Sequence, residues 1–215
     1  MHLGIFTFNP FQENTYILYD ETGDCVIVDP GCSNQKEEKI LADFISGHSL
    51  NPVKLINTHC HIDHILGNKF VSEHYQLGLE IHKGELETLR SGVVVGQMYG
   101  IPYNVSPEPS SYIEEDDYLE FGQTKLKAIF TPGHSPASLS FLEEQSNILI
   151  AGDVLFLESI GRTDLPGGNM STLLQSIDEK LMVLEDSTQV YPGHGPKTTI
   201  GHERVNNPFL RQLSR

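Results

Sequence analysis

Four metal-binding side chains crowd into six consecutive residues of Thr58-His59-Cys60-His61-Ile62-Asp63-His64, and little else in the chain constrains it as strongly. Residues two apart on an extended segment point the same way, so His59 and His61 can grip one cation together. Asp63 and His64 lie one turn further on and can reach a second. Zinc takes imidazole nitrogen and carboxylate oxygen at about 2.0–2.2 Å, so this segment is a natural half-site. Cys60, between two ligands, should point the other way, into the core.

The chain has ten histidines. His59, His61 and His64 fall in the motif, and His134 and His194 sit in turns further along. His2, His48, His74, His82 and His202 read as solvated or hydrogen-bonded. Four short apolar runs each end in a histidine or aspartate: KLINTHCH, KAIFTPGH, NILIAGD and TQVYPGH. They deliver His59 and His61, His134, Asp153 and His194. Glycine beside a ligand permits a sharp turn and a close backbone approach. Strand tips on one sheet edge are where α/β folds gather ligands. The runs fall in both halves of the chain, which suggests two similar halves whose sheets pack face to face with helices outside.

The remaining pattern is α/β. Leu3 to Phe8, Asn14 to Tyr19, Cys25 to Asp29 and Val53 to Asn57 read as strands. Asn34 to Ser46 reads as a helix with Gly47 as its C-cap. Short helices are expected at Phe70 to His74 and Lys83 to Ser91, around a strand at Leu79 to Ile81. Gly92 to Ser111, rich in Gly, Pro and Ser, reads as a long surface loop. Strands resume at Tyr118 to Phe121, Leu126 to Phe130, Ser138 to Leu142 and Ile148 to Ala151. Ser171 to Leu184 reads as an amphipathic helix, Gln189 to Tyr191 as a last strand and Thr199 to Asn206 as a last helix. No linker or low-complexity block interrupts the 215 residues, so one domain, 1–215, is expected.

Composition narrows the partners. The formal charge of −15 repels phosphate backbones and anionic lipid, against nucleic acid and membrane. No run approaches the roughly 18 apolar residues of a membrane span. Residues 1–20 have no signal-peptide pattern. Cys25, Cys32 and Cys60 form no CxxC pair and cannot all be paired within the chain, which suits a reducing cytoplasm.

THxHxDH, a GH turn, GD and PGHG, in that order from Thr58 to Gly195, resemble the metallo-β-lactamase superfamily. That resemblance implies an α/β fold, a four-layer αββα sandwich with the site on one edge. It implies that His59, His61 and His134 hold one metal and that Asp63, His64 and His194 hold a second. Asp153 then bridges both, and a metal-bridging hydroxide is the nucleophile. Two divalent ions are expected, zinc first, with iron or manganese accepted by the same donors. Asp63 doubles as the catalytic residue that orients the water or carries a proton.

Within that superfamily the chain looks most like small single-domain relatives of glyoxalase II, which hydrolyse the thioester S-D-lactoylglutathione. Asn9-Pro10-Phe11-Gln12-Glu13-Asn14-Thr15, Val28-Asp29-Pro30-Gly31, Gly161-Arg162-Thr163-Asp164 and Thr199 to Arg204 share the family's flavour. The aspartate matching Asp29 supports the site in that family. A cation at Arg162 would pair with the carrier's carboxylate, unless Arg162 bridges to Asp164. Tyr103 would line the mouth from the long loop. Asp153 argues against a true β-lactamase, and the acidic charge against a nuclease. Only 21 residues follow His194, where glyoxalase II carries a helical domain for glutathione, so weak carrier binding is expected. The alternative is a persulfide dioxygenase using one iron on the residues matching His59, His134 and Asp153; another hydrolase of the same fold, a lactonase or nuclease, is a more distant option.

Overall fold

β-Branched and aromatic runs between turn residues form the strands, and tertiary packing sorts them into two six-stranded sheets. The computed structural model describes residues 1–211. Contacts divide the chain into one unit of Met1–Ile113 with Glu120–Lys125, and a second of Glu114–Leu119 with the chain from Leu126 onward.

The first unit carries β1 (His2–Phe8), β2 (Glu13–Tyr19), β3 (Asp24–Val28), α1 (Gln35–Gly47), β4 (Asn51–Ile56), α2 (Ile62–Ile65), α3 (Asn68–Tyr75), β5 (Leu79–Ile81), α4 (Leu86–Tyr99) and β6 (Ser111–Tyr112). Its sheet runs β1-β2-β3-β4-β5-β6. β1 to β3 are antiparallel and β3 to β6 parallel. Ile17, Cys25, Ile27 and Leu55 of the sheet pack with Leu41 and Ile45 of α1, Val71 of α3 and Leu89 of α4. Cys60 is buried in the same cluster.

Three boundaries differ from the sequence expectation. Asn34, expected as the first helical residue, is instead the N-cap of α1, its side chain accepting Lys36 N and Glu37 N. The other end runs past Gly47 to a His48 cap, and Ser49 takes the left-handed turn with φ 53°. The expected loop from Gly92 is helical as far as Tyr99, where Gly100 (φ 67°) caps α4. Gly and Val weaken a helix in isolation. Here Gly92 is needed: a Cβ would sit 2.9 Å from the Tyr103 ring, which packs on that bare surface. Packing therefore overrides propensity.

The hairpin β7 (Tyr118–Phe121) and β8 (Thr124–Phe130) leads to β9 (Leu139–Glu143), β10 (Ile148–Gly152), the small hairpin β11 (Leu155–Phe156) and β12 (Ser159–Ile160), α5 (Met170–Ser176), β13 (Gln189–Pro192), β14 (Thr198–Thr199) and α6 (Ile200–Asn206). The second sheet runs β14-β13-β10-β9-β8-β7. The helix expected to reach Leu184 passes after Ser176 into a π-helical turn, Ile177–Leu181, where Met182 N bonds Ile177 O at 2.8 Å. Leu173, Ile177 and Leu181 stay buried, in a cluster with Leu149, Val190 and Ile200.

Register places the chemistry. β3 and β4 are parallel with Val28 opposite Ile56, so Asp29 and Asn57-Thr58-His59 leave the sheet side by side. β10 and β13 are parallel with Gly152 opposite Pro192, which sets Asp153 beside Gly193-His194. β9 is antiparallel to both β8 and β10, so β8 delivers His134 to the edge where β10 delivers Asp153. Among the described residues no helix is long and apolar enough to cross a membrane.

Candidate metal centre

In the first unit, Asp29 organises the HxHxDH segment. It ends β3 with φ 48°, a left-handed conformation that aspartate tolerates better than most residues. One carboxylate oxygen accepts Thr58 N at 2.7 Å and Asn57 Nδ2 at 3.2 Å. The other accepts the Thr58 hydroxyl at 2.6 Å and lies 3.1 Å from His64 Nδ1. His59 Nδ1 lies 3.1 Å from the Thr58 hydroxyl. Second partners of this kind fix ring orientation and leave Nε2 as the ligating nitrogen. The His59 ring lies 4.8 Å from His61 and 4.1 Å from His64, centre to centre. Asp63 Oδ2 is 3.8 Å from His64 Nε2.

Asp29, His59 and His64 form one tight group of ligand-type atoms. Asp29 approaches His64 from the Nδ1 side with both oxygens engaged, so its chemistry is to brace. Asn9 Nδ2 donates to the carbonyls of Gly31 and Asp63, each at 3.0 Å. Asn57 Nδ2 donates to His64 O at 2.9 Å. Fully buried Glu13 accepts the Thr15 hydroxyl, which itself accepts Gly31 N. Burial pushes the Glu13 carboxyl well above its ordinary range, favouring the neutral acid. Burial likewise pushes up the Cys60 thiol, which keeps it out of thiolate chemistry.

In the second unit, Asp153 Oδ2 lies 3.5 Å from His134 Nε2 and 3.5 Å from His194 Nε2. That is longer than an ordinary N–H···O bond. It matches the roughly 3.4 Å that separates tetrahedral ligands about 2.1 Å from a shared zinc. The donor set therefore fits a divalent metal. His134 Nδ1 is held at 2.7 Å by the Arg162 carbonyl. Gly193 N donates to Gly152 O at 2.8 Å, locking the His194 turn to the Asp153 turn. Gly133 and Gly152, each beside a candidate ligand, have φ 130° and 53°.

The two residues read as substrate contacts have partners within the fold. The exposed Arg162 guanidinium forks onto Asp164 at 2.7 and 2.8 Å. Tyr103 is half-buried, and its hydroxyl is engaged with Ser106 at 2.8 Å. His2, His48, His74, His82 and His202 lie outside both clusters. The sequence reading found Asp29 but missed Asn9, Glu13, Asn57 and the Arg162 carbonyl. Asn9 and Glu13 stand in the NPFQENT stretch, the one signal pointing to them; a backbone carbonyl leaves none.

The sequence profile described as the metallo-beta-lactamase superfamily matches residues 8–194. The chain is 39% identical over 206 residues to the "Probable metallo-hydrolase YqgX" of Bacillus subtilis, covering 95% of each chain. It is 33% identical over the whole of both chains to the "Hydroxyacylglutathione hydrolase GloC" of Haemophilus influenzae. Among solved structures it is similar to the BLEG-1 B3 metallo-beta-lactamase, with TM-score 0.88, 34% identity and 98% and 100% of the two chains covered. It is also similar to TTHA1623 in a di-iron-bound form, with TM-score 0.86, 32% identity and 96% and 100% covered.

Proposed function

This chain belongs to the metallo-β-lactamase superfamily and has its fold, and from that premise we propose that it is a binuclear metallohydrolase of small acyl thioesters, of the glyoxalase II type. The observation that carries the proposal is the single Asp153 oxygen at ligand spacing from both His134 and His194. A carboxylate so placed suits a bridge between two cations. The likeness to GloC along the whole chain supports the thioester class. The di-iron form of TTHA1623 supports a pair of metals and keeps iron beside zinc and manganese as occupants.

In this reading the two halves act as one domain. His59, His61 and His134 would hold one cation, and Asp63, His64 and His194 the other. Such a pair would supply an ionised water near neutral pH and a Lewis acid for the carbonyl. Asp63 would orient a water at the site and accept its proton. Its main chain is pinned by Asn9, so the carboxylate keeps its aim. A thiolate leaves without a strong acid, which suits a site with no second acid in its motifs. Arg162 holds the carrier's carboxylate by exchanging its Asp164 partner for substrate.

The test is thiol release from a panel of acyl thioesters, S-D-lactoylglutathione first, by protein loaded with zinc, manganese or iron. A chromogenic cephalosporin and glutathione persulfide with oxygen uptake are the comparison arms, the first because of the likeness to BLEG-1. Thioesterase activity should dominate. Oxygen uptake on iron-loaded protein without thioester cleavage would reject the proposal in favour of a dioxygenase.

A further inference from the structure

We propose that Glu203 is a positioning residue for the metal centre, clamping from a distance the backbone next to Asp153 and His194 and the segment whose Arg162 carbonyl holds His134. The inference deepens the metal-centre reading and rests on it.

Glu203 lies on α6 and is wholly buried. A buried carboxylate is tolerated only when its oxygens are well supplied with donors. One oxygen takes the Thr198 hydroxyl. The other takes Glu158 N at 2.9 Å and Asn207 Nδ2 at 2.8 Å. These bonds lead to different ligands.

The first route runs through β14. Thr198 pairs with Val190 of β13, and β13 runs directly into the His194 turn. The second runs through the β11–β12 hairpin, whose tip is Glu158 at φ 55°. Non-glycine residues avoid that region, so the tip needs an outside partner to hold it. Besides Glu203, the hairpin is held by Asn207 Nδ2 on Ser159 O at 3.0 Å. The hairpin starts just after Asp153 and ends just before Gly161-Arg162. A Cβ on Gly161 would collide with the Asp153 carbonyl, so the returning strand lies directly against the bridging residue. Arg162 O then fixes His134 Nδ1. Phe156 of the hairpin meets the His194 ring edge-on at 6.4 Å. The hairpin and the two residues after it, Gly161 and Arg162, thus meet all three candidate ligands of this unit, and Glu203 holds both the hairpin and the strand behind His194.

Hydrogen-bond chemistry predicts which substitution is tolerated. In Glu203→Gln the amide oxygen can accept from Glu158 N and Asn207, while the amide N–H donates to the Thr198 hydroxyl, which rotates to suit. Glu203→Ala strips an acceptor from all three donors. The test is zinc affinity, measured with zinc alone against a chromogenic chelator, beside thermal unfolding of the metal-free proteins. Glu203→Ala should bind zinc about ten- to a hundredfold more weakly, as for lost partners of metal ligands. Glu203→Gln should stay close to wild type. Should Glu203→Ala fail to fold, Asn207→Ala removes the second hairpin anchor, on Ser159 O, and one of the donors to Glu203 while leaving the Glu203–Glu158 bond, and should weaken zinc binding by about tenfold. Wild-type zinc affinity in a folded Glu203→Ala or Asn207→Ala protein would overturn the proposal, as would a Glu203→Gln protein as weak as Glu203→Ala. A wild-type protein that binds no zinc would overturn the metal centre itself, a failure separate from these.

Discussion

Asp29 stands 3.1 Å behind His64 Nδ1 while the same oxygen accepts the Thr58 hydroxyl, so one carboxylate ties β3 to the ligand-bearing segment after β4. Nδ1–H donating to Asp29 leaves the Nε2 lone pair for a metal. In Asp29→Asn an amide N–H faces that ring nitrogen, and the favourable response is to move the proton to Nε2, which abolishes ligation. Asparagine also tolerates the positive φ, so the backbone is spared. Asp29→Asn should therefore weaken metal binding by about ten- to a hundredfold while the metal-free protein melts close to wild type. Chelator competition and thermal unfolding, run together, check this; unchanged affinity would remove Asp29 from the site.

Asp153→Ala should lower bound metal and turnover together, because it removes the carboxylate shared by His134 and His194. His74 is exposed on α3 and stacks on Phe70, away from both clusters. His74→Ala should keep the wild-type metal count. Elemental analysis of the two purified variants decides the ligand set, and equal loss from both would show it wrong.

Arg162 contributes twice, through a carbonyl that holds His134 and a guanidinium that faces solvent. Arg162→Ala removes only the second. Metal content should hold, while kcat/KM for a carboxylate-bearing thioester falls about ten- to a hundredfold, mainly through KM. On the proposed reading, Asp164 competes with the substrate carboxylate for Arg162. The Arg162 hydrogen bond holds the Asp164 carboxyl at about 2, so it stays ionised throughout the neutral range. Asp164→Asn should accordingly lower KM, and initial-rate kinetics with charged and neutral thioesters would expose the opposite trend.

Asp20 provides a pH test of the first unit. Burial opposes its ionisation, but hydrogen bonds from Thr22, Gln123 N and Thr124 outweigh that and hold the carboxyl at about 2 against an ordinary 3.8. Because the folded pKa is the lower one, the stabilisation is complete above about 4 and fades as pH falls towards 2. Asp20→Asn should lower the urea midpoint at pH 5, with the gap to wild type closing near pH 2. A gap that stayed constant with pH would rule out this ionisation as its cause.

The sequence by itself picked out the candidate donors. Spacing in THCHIDH is local chemistry, and the apolar runs ahead of His134, Asp153 and His194 did become β8, β10 and β13. Strand patterning was legible for the same reason, since side-chain alternation is a property of a few consecutive residues. Only the tertiary structure decided what braces those donors. Asp29 meets His64 because β3 and β4 are parallel and in register, a pairing between residues 35 apart in the chain. Arg162 reaches His134 through a carbonyl, an atom every residue carries and no side-chain pattern marks. Gly92 to Tyr99 read as loop and folded as helix because Tyr103 packs where a side chain would have been. Local preference is worth at most about 1 kcal/mol per residue, and burial of one large side chain about 1.5–3 kcal/mol, so where they disagree the packing wins.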